Sequence, residues 1–173
     1  MYVANVKFYD IANGEGVRTS LFVSGCRHHC KNCFNAEAWD FTFGTPYTKK
    51  TEEEIIASLA PDYIAGLTVL GGEPFEPENQ AEVLSLVTEV KARYPQKTVW
   101  VYSGFTYEEL LSGSRAATDT ARALLQQIDV LVDGRFIEEQ KNISLAFRGS
   151  ENQRVINLPQ TLQQGCVVLF SDN

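Results

Sequence analysis

Three cysteines, Cys26, Cys30 and Cys33, fall within eight residues in the spacing C-x3-C-x2-C. Thiolates are soft, strong ligands for iron and zinc, and three on one short loop can converge on a single metal centre. The loop has no fourth cysteine, because Cys166 lies near the C-terminus. An odd number of cysteines cannot all pair as disulfides within the loop. His28 or His29 offers a zinc knuckle its fourth ligand, although a histidine between two ligating cysteines has little reach to the same metal. Sites closed by four protein ligands are usually structural, whereas sites with a vacant position do chemistry. The spacing favours a [4Fe-4S] cluster with one iron left open for a small molecule.

The rest of the composition sets bounds on that idea. A chain of 173 residues suits one domain, residues 1–173, with a sizeable core. Its 44% hydrophobic and 21% charged content is ordinary for a soluble protein. A net charge of -7 argues against nonspecific nucleic-acid binding, which needs a basic footprint. It leaves room for a protein partner with a basic patch. There is no apolar run of signal-peptide length at the N-terminus and no stretch of about 18 apolar residues to span a membrane. A cytoplasmic location is the expectation, and clustered cysteines there are more often metal ligands than disulfides.

Along the chain, residues 2–9 read as a strand, and Gly14 and Gly16 suit a tight loop but give only an incomplete phosphate-loop pattern. Leu21–Ser24 reads as a buried strand ended by Gly25. Residues 34–50 are expected to be irregular. Thr51 and Glu54 suggest a capping box opening a short helix through Leu59. Leu67–Leu70 is a second buried strand, and 78–94 carries a helical apolar stripe. Thr98–Tyr102 is a third strand, Thr106 and Glu109 form another capping box, and 118–127 is a further helix. Asp129–Val132 is a fourth strand, with 155–158 and 166–170 as later candidates.

Strands alternating with helices call for parallel strands joined by crossovers. Each candidate functional loop follows a strand: the cysteines, then Gly71-Gly72-Glu73-Pro74, then Ser103-Gly104, then Asp133-Gly134-Arg135. In α/β folds ligands bind at that C-terminal edge. A closed eight-unit barrel needs about 250 residues. The expected fold is therefore α/β, a partial (β/α) TIM-like barrel with an open side, its parallel sheet flanked by helices. A diglycine after a buried strand lets backbone approach a ligand closely, although alone it also suits an ordinary turn.

The cysteine spacing followed by Gly71-Gly72-Glu73-Pro74 resembles the radical S-adenosylmethionine (SAM) superfamily. Further stretches, Asp10–Arg18, Phe22–Asn35, Trp100–Phe105, Val130–Phe136 and Arg148–Arg154, resemble the activating proteins of anaerobic ribonucleoside-triphosphate reductase, which are glycyl-radical-enzyme activases. The resemblance implies that Cys26, Cys30 and Cys33 hold a [4Fe-4S] cluster and that SAM chelates its open iron. It implies that Gly71, Gly72 and Glu73 hold the amino end of SAM, with Ser103 toward the ribose or carboxylate. Many relatives in the superfamily carry an aromatic residue just before the third cysteine, where it contacts adenine. Here that position is Asn32, and Phe34 follows Cys33, so both enter the expected cofactor site. The implied partners are the large reductase subunit and a one-electron donor such as a flavodoxin or a thioredoxin system. Two alternatives are a small-molecule radical SAM enzyme resembling a deazapurine synthase and a non-enzymatic zinc-binding module.

Other residues carry blander expectations. His28 and His29 read as solvated loop residues. Arg18, Arg135 and Arg148 read as surface ion-pairing residues, with the SAM carboxylate or partner acids as the functional alternative. Asp133 is a loop cap or reaches the SAM site. Cys166 is expected to be a buried core thiol, and Trp39 and Trp100 core side chains.

Overall fold

The apolar runs in the middle of the chain are buried on both faces, as strands covered from two sides require. The computed structural model describes residues 1–171. The strands are β1 (Tyr2–Asp10), β2 (Val17–Val23), β3 (Thr45–Pro46), β4 (Ile64–Gly71), β5 (Thr98–Tyr102), β6 (Val130–Asp133) and β7 (Arg154–Asn157). The helices are α1 (Lys49–Ser58), α2 (Pro77–Arg93), α3 (Tyr107–Leu111), α4 (Asp119–Leu125) and α5 (Leu158–Gln164). The strands form one sheet in the order β3-β1-β2-β4-β5-β6-β7. The central four, β2, β4, β5 and β6, are parallel, and β1, β3 and β7 flank them antiparallel. The fold is thus mixed α/β with an open sheet flanked by helices, and its edges are antiparallel, which the alternation of strands and helices did not announce.

Alternation along each strand sorts side chains to two faces. Leu21, Val23, Leu67, Val69, Val99, Val101, Leu131 and Ile156 share the main core with Leu86, Val87 and Val90 of α2. The opposite face carries a smaller cluster, Trp100, Val130, Val132 and Val155, with Tyr102, Phe147 and Phe170 packed against it. That second face also holds polar groups. Arg18 is fully buried: its Nε donates to Thr68 Oγ1, Nη1 to Glu15 O and Thr98 Oγ1, and Nη2 to Leu67 O and Thr98 O. It is no surface ion-pairing residue. Burial lowers its pKa to about 10, which leaves it a cation. Asp10, also buried, accepts from Lys7, Ala12, Asn13 and Ser20. Burial alone raises its pKa, but those bonds outweigh it and hold the group down to about 2.

Local signals mostly hold. Thr106 and Glu109 form a complete capping box on α3. The start of α1 is a correction: Thr48 caps it in extended conformation, accepting from Thr51 N–H at 3.3 Å, so the helix opens three residues before the expected cap. Within the stretch read as irregular, Thr45–Pro46 adds a two-residue edge strand. The run at 166–170 is not a strand, because only Leu169 bridges to Ile156. Gly165 ends α5 in a left-handed conformation at φ 70°, and the chain then leaves Cys166 exposed rather than buried.

Parallel register carries the four central strands to one edge. Val23 lies beside Gly71, and Tyr102 beside Val132. The four loops singled out above therefore leave the sheet together. Close strand approach depends on Gly66, where an added Cβ sits 1.9 Å from Thr98 O, the oxygen that Arg18 also uses. Gly66→Ala is expected to destabilise the metal-free protein by about 3 kcal/mol or more, or to prevent soluble expression. Urea unfolding followed by circular dichroism checks it, and a midpoint within error of wild type contradicts the packing described.

Candidate metal centre and ligand cavity

The cysteine loop closes on itself. Gly25 N–H donates to Ala38 O at 2.8 Å and Cys26 N–H to Trp39 O at 3.2 Å, so the segment from 26 to 39 begins and ends at one point. Within it, His29 and Asn32 take left-handed conformations, φ 51° and 56°. Asn tolerates that region better than an aromatic residue does, which gives Asn32 a backbone reason to stand before the third cysteine. Its side chain is exposed and off the cavity wall.

Cys26, Cys30 and Cys33 line one cavity of about 530 Å³ at the C-terminal edge of the parallel strands. All three are free thiols. Burial pushes the Cys26 thiol up to about 12, partly offset by backbone N–H groups of His28 and His29, and burial also raises Cys30. A thiol so placed becomes a thiolate when a metal displaces its proton. Asn35 N–H donates to Cys33 Sγ at 3.4 Å. Amide donors on sulfur are what tune iron–sulfur clusters. No three His, Cys, Asp or Glu side chains among the described residues gather tightly enough for a single ion. Three thiols lining one cavity fit a cluster, in which each would ligate its own iron.

The diglycine also packs the strand exit against the cysteine loop. Gly72 N–H donates to Val23 O at 2.7 Å and Glu73 N–H to Gly25 O at 2.8 Å. A Cβ on Gly72 would stand 2.7 Å from Gly25 O and 2.9 Å from Ala38 O. Gly71 holds φ 106°, out of reach for most side chains. These glycines let the strand exit pass against the base of the cysteine loop. Their N–H groups face protein, and the Gly72 carbonyl, which accepts nothing among the described residues, is left for a donor.

Glu73 is wholly buried, and its carboxylate is saturated. Oε1 accepts from Phe75 N–H and Ser103 Oγ–H, both at 2.9 Å. Oε2 accepts from Gly104 N–H at 2.7 Å and meets His28 Nε2 at 2.9 Å. Arg135 Nε–H donates to His28 Nδ1 at 3.2 Å, so Nδ1 is the acceptor and Nε2–H the donor to Glu73. His28 is therefore no solvated loop residue. Its side chain is 4% exposed and packs edge-on against Phe105 at 4.4 Å. Gly104 leaves room for the imidazole, since a Cβ there would meet His28 Cδ2 at 2.5 Å. Both Glu73 and Ser103 touch the cavity while spending their polar atoms on one another.

The remaining expectations divide. Phe34 lines the cavity, 73% exposed, tilted against Phe136 at 5.6 Å. Trp100 is core, but Trp39 is half-buried on the cavity wall, with His29 stacked on it. Asp133 is a cap: it accepts from Tyr107 N–H at 2.7 Å and pairs with Arg154. Arg135 pairs with Glu109. Sequence reasoning missed Tyr102 and Phe136 on the wall. The period of two that puts Tyr102 on the face of Trp100 was the available signal for the first. Three buried polar atoms of wall residues, Trp39 Nε1, Tyr102 Oη and Arg148 Nε, have no hydrogen-bond partner among the described residues. Native proteins rarely leave such groups unpaired, so the cavity is built for a polar occupant.

A cavity lined by three free thiols at the edge of an α/β sheet defines a cluster-binding protein, and comparison agrees. Residues 12–156 match the family model described as a 4Fe-4S single cluster domain. The chain is 46% identical over 146 residues to the anaerobic ribonucleoside-triphosphate reductase-activating protein of Vibrio cholerae, covering 83% of this chain and 90% of that one. It is 40% identical over 151 residues to the Escherichia coli K12 protein of that name, covering 86% and 94%. The phage T4 counterpart is 37% identical over 146 residues, covering 84% and 87%. The chain belongs to the family of anaerobic ribonucleoside-triphosphate reductase-activating proteins.

Glu73→Gln replaces an acceptor-only group with an amide whose NH2 must face a donor. It is expected to destabilise the metal-free protein by about 2–3 kcal/mol. Chemical denaturation before any cluster loading checks this, and an unchanged midpoint contradicts the hub role.

Proposed function

We propose that this chain generates the glycyl radical of an anaerobic ribonucleoside-triphosphate reductase through reductive cleavage of SAM at a [4Fe-4S] cluster. The observation that carries the reading is the single cavity shared by Cys26, Cys30, Cys33, Gly71, Gly72, Glu73 and Ser103. The three thiolates would hold three irons and leave one open to the methionine end of SAM. When bound, the reduced cluster would give one electron to the sulfonium of SAM, whose C–S bond would break to give methionine and a 5′-deoxyadenosyl radical able to take hydrogen from a glycine Cα.

This chain's own residues hold and shelter the reactants. The Gly72 carbonyl accepts from the SAM ammonium. Glu73 and Ser103 fix the wall behind it and keep the cysteine loop in place. Phe34 and Phe136 offer an apolar face for the base, and Asn32 shapes the loop rather than touching the ligand. Cofactor chemistry of this kind asks for no acid or base on the wall. Residues 1–173 act as one radical SAM domain, and the open sheet serves as a partial (β/α) barrel whose open side admits a loop of the large reductase subunit. An external one-electron donor, such as a flavodoxin or a thioredoxin system, supplies the electron. No described helix is long and apolar enough to cross a membrane, which suits a cytoplasmic protein.

Purified and reconstituted anaerobically, the protein is expected to be brown with about four irons per chain. Mixed with reductase, SAM and a reductant, it should give a glycyl radical signal by electron paramagnetic resonance. SAM cleavage without that signal would favour a small-molecule substrate, and a colourless zinc protein would sink both enzyme readings. Cys30→Ala is expected to lose cluster and SAM cleavage together. Full iron loading with normal cleavage in that variant refutes the ligand assignment.

A further inference from the structure

Of the three arginines whose role the sequence leaves open, two are fully engaged. Arg18 lies buried with Nε, Nη1 and Nη2 all donating to the sheet. Arg135 spends Nε on His28 and its terminal nitrogens on Glu109. Arg148 differs. Its Nη1 donates to Gln153 O at 3.1 Å, its Nε is buried without a partner, and it pairs with no carboxylate among the described residues. It is also the one Lys or Arg among the described residues that line the cavity.

The segment carrying Arg148 is held firmly. Gln153 Oε1 accepts from Gly149 N–H and Ser150 N–H, and its Nε2 donates to Gly134 O at 2.9 Å. That ties the segment to the exit of β6, beside the aromatic cluster formed by Trp100 and Phe147. A guanidinium fixed this way, with an unspent N–H, is preorganised for an anion. Among the described residues, the one carboxylate on the wall, that of Glu73, is already saturated by four protein donors. Arg148 thus finds no anion among the described residues, and an anionic group of the occupant would supply its counter-charge.

We propose that Arg148 binds the carboxylate of SAM, its Nε–H and free terminal N–H groups donating to the carboxylate oxygens. This rests on the functional reading above. SAM bears two positive centres, ammonium and sulfonium, and one negative group. A cation on the wall is attracted only to the last. Tyr102 lies on the same aromatic cluster, and burial raises its pKa, so it keeps its proton and adds a neutral donor for a ligand oxygen.

The test is anaerobic equilibrium dialysis of cluster-loaded protein against SAM and, separately, against decarboxylated SAM, with iron content and circular dichroism as controls. Arg148→Gln is expected to bind SAM about 10- to 100-fold more weakly than wild type. Both proteins should bind the decarboxylated probe with equal, weaker affinity. Arg148→Lys, which keeps the charge but loses the fork, should fall within about tenfold of wild type for SAM, and carries the test if the glutamine variant fails to fold. Equal SAM affinity in Arg148→Gln and wild type overturns the assignment. So does an equal loss for both probes, which would mean that Arg148 acts on cavity shape or on the cluster. Iron-loaded wild type that binds neither probe overturns the functional reading itself.

Discussion

One buried carboxylate joins the three chain segments that must meet for this site to exist. Glu73 leaves β4 at the sheet edge, takes Ser103 and Gly104 from the exit of β5, and takes His28 from the middle of the cysteine loop. A carboxylate buried this deeply is costly unless its lone pairs are met, and here four donors meet them. The cost of losing any donor is what makes the arrangement specific. The glycines around it follow from the same requirement. Gly72 lets backbone lie against backbone at the loop base, and Gly104 leaves room for the imidazole. The Gly71-Gly72-Glu73 segment thus clamps the cysteine loop to the sheet edge while its Gly72 carbonyl and the other cavity groups stay free.

Loop closure makes the clamp necessary. Between Gly25 and Ala38 the chain makes a long excursion with only the four-residue 3-10 helix at Ala36–Trp39 for regular structure. Ordering such a segment costs conformational entropy, and no large apolar side chain of the excursion is buried. Its order comes instead from polar anchors at three places: the backbone pairs at its ends, His28 on Glu73, and Arg27 on Glu76 and Glu78. Glu76, itself buried, takes Arg115 as well. Two buried carboxylates three residues apart therefore hold consecutive residues, Arg27 and His28, near the start of the loop.

The sequence exposed the parts of this design that depend on local rules. Strand and helix order, the parallel centre, the gathering of four loops at one edge and the cap at Thr106 all follow from periodicity and side-chain hydrogen bonding within a few residues. What it hid depends on distant partners. His28 looks solvated beside polar neighbours, and only Glu73 and Phe105, far along the chain, bury it. Arg18 looks like a surface charge, and the carbonyls that bury it come from β4 and β5. Cys166 sits in an apolar run, but the left-handed turn at Gly165 leaves Cys166 itself exposed, while Leu169 and Phe170 return to β7 and the aromatic cluster. For Thr48, proximity misled: two threonines three residues apart compete for one helix start, and the extended backbone at Thr48 decides it.

The cavity's polarity differs from that of the chain as a whole, whose net charge is -7. Its acids are kept from the wall or spent there. Glu73 faces donors, Glu76 faces two arginines, and Asp133 faces Arg154 and a helix start. What is left open on the wall is of the other sign or neutral: Arg148, the phenol of Tyr102 and the indole N–H of Trp39. At the protein surface water and salt weaken such a bias, largely beyond about 8–10 Å, but at a partly buried site the effective dielectric is lower and one unspent cation acts more strongly. The negative charge lies mostly on the exterior, where it is solvated.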